Sequence, residues 1–407
     1  MYIKKRKYMN QIKFILCKDT LIIVFVLNIY LYLWSTAVLA QSVFQMQTVN
    51  GTPAFDAVVN YCGQKWGEYL NSSVPIKVKV YYANLFGQTL GITIPNGRRD
   101  FLNAPIDSVW YPTSLANALA GVELNPGEDD MNIFIDNTAN WYMGLDGNPP
   151  ANKYDLVSVV MHEIAHGLGF LALSNIKNGE GSFGYIDESD LAPLVLSFPF
   201  PDLQGKYAIY STFIENLSGQ QLDDKLIFAN PSLELAAQFT GNQLYFNGVN
   251  AVLANNNQRV RLYAPATFAF GSSLHHLDEN TYPPSNPNTM MTPFIAKGES
   301  HLEPGPVALA ILQDLGWSVN LDASVENMKH NNFTVFPNPA TDYVYVQAYS
   351  PVIEPLHWEI VNVSGVVIQQ GVMQNTSAPV MVTLHDLPAG LYFCRVGDAV
   401  EKMMVVK

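Results

Sequence analysis

Residues 155–170 read Asp155-Leu-Val-Ser-Val-Val-Met-His162-Glu163-Ile-Ala-His166-Gly-Leu-Gly169-Phe170. At roughly 100° per residue, His162 and His166 leave one face of a helix together, a turn apart. Two imidazoles so placed can bind one Zn2+, and Glu163, one step around, can reach a water held there. Apart from Asp155, Ser158 and this trio the stretch is apolar nearly all round, which predicts a buried helix. Two histidines and a glutamate inside such a helix need partners, and a cation satisfies all three. A bare His-Glu-x-x-His arises by chance in roughly one chain in a hundred of this length, so the glycine after it matters. Gly169 lets the chain leave the helix sharply and bring a further ligand back from downstream.

His-Glu-x-x-His-x-x-Gly resembles the metzincin zinc proteases, in which a third histidine usually follows three residues after the glycine. Here that position is Ala172. Leishmanolysin-like metzincins instead supply the third ligand from beyond a long insertion. The eight histidines are His162, His166, His275, His276, His301, His330, His357 and His385, and the last three fall in or beyond a linker to a separate domain. That leaves His275, His276 and His301. Gly271-Ser-Ser-Leu-His-His-Leu-Asp-Glu279, followed by Asn288-Thr-Met-Met-Thr-Pro293, resembles the leishmanolysin-like class and related bacterial secreted proteases. The resemblance implies His276 as third ligand, with His275 the alternative, and Met291 as the methionine turn that floors the site without ligating. His301, in Gly-Glu-Ser-His-Leu-Glu, reads as a surface histidine. A site completed by a carboxylate, Glu180 or Glu188, is a rival within the same chemistry.

The formal charge is −13 over 407 residues. The first forty carry six basic groups and one acid, so the remainder holds sixteen basic against thirty-four acidic groups, or −18. That argues against nucleic acid or anionic membrane as a partner. A Lys/Arg-rich head, an apolar run over 21–34 and Ala37-Val-Leu-Ala40 predict a secretory signal cleaved after Ala40. Of three cysteines, Cys17 leaves with the signal, and Cys62 and Cys394 fall in different expected domains. No disulfide and no thiolate latency switch is expected. Glu128-Asp129-Asp130 and Asp146-Gly-Asn148 can be read as Ca2+ loops, although neither has the ligand spacing of a known one.

Around the metal helix, period and composition predict a helix over 54–70, a strand over 75–82, a short helix over 110–120 and a strand over 132–136. The stretch 171–271 reads as an insertion, with helix-like pieces at 210–216 and 231–239, and 306–317 as a closing helix stopped by Gly316. Seven short apolar runs between 333 and 406 predict a small β-sandwich. Its wording, Phe336-Pro-Asn-Pro-Ala340, Asp386-Leu-Pro-Ala-Gly-Leu-Tyr392 and a terminal Val-Val-Lys407, resembles the sorting domain of type IX secretion substrates.

The expected fold class is α+β: a metzincin-like zinc protease domain over 41–320 with its insertion at about 171–271, then a linker over 321–332 and an all-β sandwich over 333–407. The expected activity is that of a secreted, monomeric zinc endopeptidase acting on proteins or peptides. Zn2+ would sit on His162, His166 and His276, with Glu163 as general base; Ca2+ is a further candidate. Outer-membrane secretion machinery is the expected partner of the C-terminal domain, and the destination is the cell surface or the medium. The reading from another class is a surface adhesin or metal-binding protein without hydrolysis, exported by the same route.

Overall fold

The computed structural model describes residues 41–85, 87, 89–187, 190, 200, 202–320, 333–348, 355–362, 366–373, 379–396 and 399–406. The expected signal (1–40), the linker (321–332) and Glu188 lie outside these residues.

Four strands make the sheet on which the first part of the chain is built: β1 (Phe44–Val49), β2 (Ile76–Ala83), β3 (Gly91–Pro95) and β4 (Met131–Asp136). Their order is β1-β2-β4-β3, parallel except for β3, which runs antiparallel along the edge beside β4. In β2, Ile76, Val78 and Val80 are buried while Lys77 and Lys79 reach outward to Glu123 and Asp129, as a half-buried strand requires. The sequence reading missed β1 and β3. Phe44-Gln-Met-Gln-Thr-Val mixes polar residues into an alternation too short to separate from a turn-bounded loop, and β3 has only five residues, beginning with a glycine and ending with a proline.

Helix α1 (Pro53–Tyr69) starts where Thr52 Oγ1 accepts the Phe55 N–H at 3.3 Å and Pro53 occupies its first turn. Its buried side includes Phe55, Val58, Val59, Cys62 and Trp66. Trp66 Nε1 donates to the Met161 carbonyl at 3.1 Å, and the Cys62 thiol points at the Val157 carbonyl. Among the described residues the cysteines, Cys62 and Cys394, are free and buried. Helix α2 (Thr113–Ala120) is shorter than the predicted 110–120, because Trp110 and Tyr111 are taken up in extended pairings and Pro112 stands at the cap. Helix α3 (Leu156–Gly167) is buried along its whole length except at His162.

The stretch expected to be an insertion packs into the same core as α3, through Phe183, Tyr210, Phe239, Phe246 and Leu262. It forms a hairpin, β5 (Ser174–Lys177) with β6 (Glu180–Phe183), and a small sheet holding β7 (Ile214–Asn216) and β8 (Leu244–Phe246). Helix α4 (Leu233–Phe239) lies within 231–239 as predicted, but 210–216 is a 3-10 turn leading into β7 rather than a helix. Helix α5 (Val249–Ala254) and helix α6 (Pro306–Leu315) follow, with Gly316 ending α6 at φ +117°. Among the described residues no helix is long and apolar enough to cross a membrane.

Among the described residues, seven strands form the C-terminal part: β9 (Phe333–Phe336), β10 (Tyr343–Ala348), β11 (Leu356–Asn362), β12 (Val367–Met373), β13 (Val380–Thr383), β14 (Gly390–Val396) and β15 (Ala399–Val405). They pair antiparallel in two sheets, β9-β10-β13 and β12-β11-β14-β15, around one core that includes Val335, Val344, Ile360, Cys394 and Met403.

The acidic run 128–130 is built into the fold. Asp129 pairs with Lys79, and Asp130, 1% exposed, accepts the Lys77 N–H at 2.8 Å and the Asn117 amide at 3.1 Å. Asp146 accepts from Tyr142 and Asn148 within its own turn. Burial pushes the Asp130 carboxyl from 3.8 up to about 7, so the folded chain holds a proton there that the unfolded chain has released. Stability therefore falls through this group as pH rises from about 4 to about 7. Asp130→Asn removes that slope: its stability relative to wild type, measured by urea unfolding, is expected to improve between pH 5 and pH 8. Parallel pH curves for the two proteins would contradict this.

Candidate metal centre

Asp155 caps α3, its Oδ2 accepting the Ser158 N–H at 3.1 Å, a contact of about 0.5–2 kcal/mol. At the other end Gly169, at φ +120°, closes the turn that the sequence called for. Its N–H returns to the His166 carbonyl and the Phe170 N–H to the Ala165 carbonyl, both at 3.1 Å, the pairing of a Schellman motif. A side chain there would press on Leu315 and Pro112 as well as straining the backbone. The turn has a second use: the Phe170 carbonyl accepts from His166 Nδ1 at 2.7 Å.

His162 and His276 are fixed in the same manner. Nδ1 of His162 donates to the Met290 carbonyl at 2.6 Å, and Nδ1 of His276 to the Ser272 carbonyl at 2.8 Å. With every Nδ1 proton committed to a carbonyl, every Nε2 of a neutral ring presents a lone pair, the arrangement that fixes a metal-binding tautomer. The three Nε2 atoms face one another at 3.0 Å (His162 and His166), 3.1 Å (His162 and His276) and 3.2 Å (His166 and His276). Four-coordinate zinc with Zn–N of about 2.0–2.1 Å sets its nitrogens about 3.3 Å apart, so the spacing is within a few tenths of an ångström of that geometry. Three converging lone pairs repel unless a cation stands between them. Burial pushes His162 down to about 4 and drives His166 and His276 well below the usual histidine range, the neighbouring imidazoles adding to the effect. The rings are thus held in the neutral form that ligates. Among the described residues this is the one group of three such side chains whose donor atoms converge.

The segment that returns His276 is tied down at several points. Tyr263 N–H donates to the His276 carbonyl and Leu277 N–H to the Met291 carbonyl, each at 2.8 Å, and Leu274 sits at φ +75°, a conformation costly for a branched side chain. His275 is buried alongside, its ring 5.7 Å from that of His166, and its nitrogens stay out of the cluster. Met291 is fully buried. Met290 touches the site through its carbonyl, and sequence reasoning had no signal for a backbone contact. Ala172 is buried, and its carbonyl accepts from Ser211. Glu180 lies exposed in its hairpin, away from the cluster.

Glu163 is 5% exposed and hydrogen-bonded by Thr93 Oγ1, which stands 2.7 Å from Oε2 and 2.8 Å from the Glu163 carbonyl. Burial pushes its carboxyl up to about 7, with Thr93 pulling the other way. Two residues before Thr93, Gly91 leaves room for the carboxylate: a Cβ there would lie 2.5 Å from Oε1. Gly91 and Thr93 are site residues that the sequence reading missed. Their signal is a period-two pair, small then hydroxyl, on a strand too short to recognise alone.

The cluster opens on a cleft of about 730 Å³. Its walls include β3, the apolar side chains of Leu171, Phe200, Phe270 and Phe294, and His301. His301 is therefore a cleft residue, half-buried and paired with Glu299, rather than the surface histidine predicted.

Residues 334–407 match the family described as secretion system C-terminal sorting domain. The chain is thus a substrate of the type IX system, delivered to the cell surface or outside. Residues 108–183, which contain α3, match a family described as SPBPB7E8-like. An uncharacterised protein of Schizosaccharomyces pombe is 25% identical over a region covering 54% of this chain and 48% of its own length. The chain thus spans about half the length of this curated relative.

Proposed function

We propose that the chain is an exported zinc endopeptidase with a metzincin-like catalytic domain. The observation that carries the reading is the convergence of three neutral imidazole Nε2 atoms at 3.0–3.2 Å, with a buried carboxylate on the same helix beside them. His162, His166 and His276 would hold the metal, which supplies Lewis-acid polarisation of a carbonyl and lowers the pKa of a bound water to about 7. Glu163 takes a proton from the water that adds to the scissile carbonyl and passes it to the amide nitrogen as the C–N bond breaks, leaving a carboxylate and an amine. Thr93 and Gly91 hold that carboxylate in place, one by a hydrogen bond and the other by leaving space.

A peptide substrate is supported by β3. The Asp136 N–H bonds to the Leu90 carbonyl and the Asn96 N–H to the Asp130 carbonyl, so Ile92 and Ile94 exchange bonds with β4. The backbone groups of Gly91 and Thr93 are then directed off the sheet edge, on the cleft side. An extended chain can add there as a further strand. A binding protein without hydrolysis, the reading from another class, gives no role to a glutamate kept dry beside a cation site.

Chelation tests the proposal. Hydrolysis of an unfolded protein such as casein is expected to vanish with a zinc chelator and to return on adding zinc back in stoichiometric amount. Hydrolysis that persists in metal-free protein would contradict it.

A further inference from the structure

His301 reaches the cleft by a route that ties it to the metal helix. Its backbone N–H donates to Ser158 Oγ at 2.6 Å, and Ser158 Oγ in turn donates to the capping carboxylate of Asp155 at 2.5 Å. Ser300 Oγ binds the same Asp155 oxygen at 2.9 Å. Ser158, His162 and His166 fall at i, i+4 and i+8, so His301 is anchored on the stripe that carries the two helix histidines. Ser158 itself lies one turn, about 6 Å along the axis, before His162. Its Nε2 bonds Glu299 Oε1 at 2.8 Å, while Glu299 Oε2 is fixed by the Ala296 N–H at 2.7 Å. The ring is thus oriented by a carboxylate that is itself held, as a positioned catalytic imidazole is. Nδ1 makes no hydrogen bond to any described residue, and His301, Ser158, His162 and Glu163 all line the one cleft.

We propose that His301 is a second catalytic residue, which donates a hydrogen bond from Nδ1 to the substrate oxygen on which negative charge develops as water adds. Both ring nitrogens then act as donors, Nε2–H to Glu299 and Nδ1–H to the substrate oxygen. No bond is made or broken at His301: it offers a fixed donor on the His162 side of the cluster, ready before the charge appears. The proposal rests on the peptidase reading, and it extends that reading to a residue that holds no metal.

The test uses the zinc-loaded mature protein, His301→Ala and Glu299→Gln. For each, kcat and KM on a quenched-fluorescent peptide, bound zinc, and affinity for a phosphinic peptide and for a hydroxamate are measured. His301→Ala is expected to lower kcat about 10²–10³-fold, the loss typical of one oxyanion donor. KM should stay within a few fold and zinc content should not change. Affinity for the phosphinate, whose tetrahedral oxygens mimic the developing charge, should fall far more than affinity for the hydroxamate. Glu299→Gln should show the same pattern at roughly tenfold, and it decides the matter if His301→Ala does not fold. Unchanged kcat, a lost zinc ion, or equal weakening of both inhibitors would overturn the proposal while leaving the peptidase in place. A wild type that neither takes up zinc nor binds either inhibitor overturns the peptidase reading, and His301 with it.

Discussion

Glu163→Gln is expected to keep the fold and the metal and to lose about 10²–10⁴-fold in kcat, the range that general acid–base catalysis supplies. The amide fills the same volume between Thr93 and Gly91 and can still accept from the Thr93 hydroxyl, so packing gives no reason for unfolding. What it cannot do is take a proton. Gly91→Ala should reach a similar defect by another route, since the new methyl carbon would lie only 2.5 Å from Oε1 and the carboxylate must swing away. The two variants separate chemistry from geometry: steady-state kinetics and zinc content should agree for both, kcat falling and metal retained. Glu163→Gln with near wild-type kcat would remove the glutamate from the mechanism.

The second large effect concerns the returning ligand. His276→Ala takes away one of three imidazoles and exposes the other two lone pairs to each other without a third donor. Zinc affinity, measured by competition with a chromophoric chelator, should fall by more than the roughly 100-fold that loss of an outer-shell partner costs. His275→Ala removes a ring that stands 5.7 Å from the His166 ring and contributes no nitrogen to the cluster. Its zinc affinity should stay within about tenfold of wild type. The reverse ranking would shift the ligand by one residue.

How much of this could be read beforehand depended on the range of each interaction. The period of α3 is local, so His162, Glu163, His166 and the need for Gly169 were all visible in sixteen residues. Alternation likewise marked the seven C-terminal strands, because each buries one face against a common core. The choice between His275 and His276 is not local: it turns on which ring can place Nδ1 on a carbonyl four residues back while Nε2 reaches a helix more than a hundred residues away. Thr93 and Gly91 matter because β3 pairs with β4 in one register, and no pattern within Gly-Ile-Thr-Ile-Pro states that register. His301 was misplaced for the same reason. Gly-Glu-Ser-His reads as an exposed turn, and only the hydrogen bonds of Ser300 and His301 to the Asp155 cap fold it into the cleft.

The proposed chemistry needs a cation held between three rings. X-ray absorption at the zinc edge, on the exported protein purified without added metal, addresses that directly. The expected result is one zinc per chain, with three imidazole nitrogens and one water oxygen at about 2.0–2.1 Å, and loss of one nitrogen from the shell in His276→Ala. A protein that emerges free of metal and takes none up, or a zinc shell unchanged by His276→Ala, would contradict it.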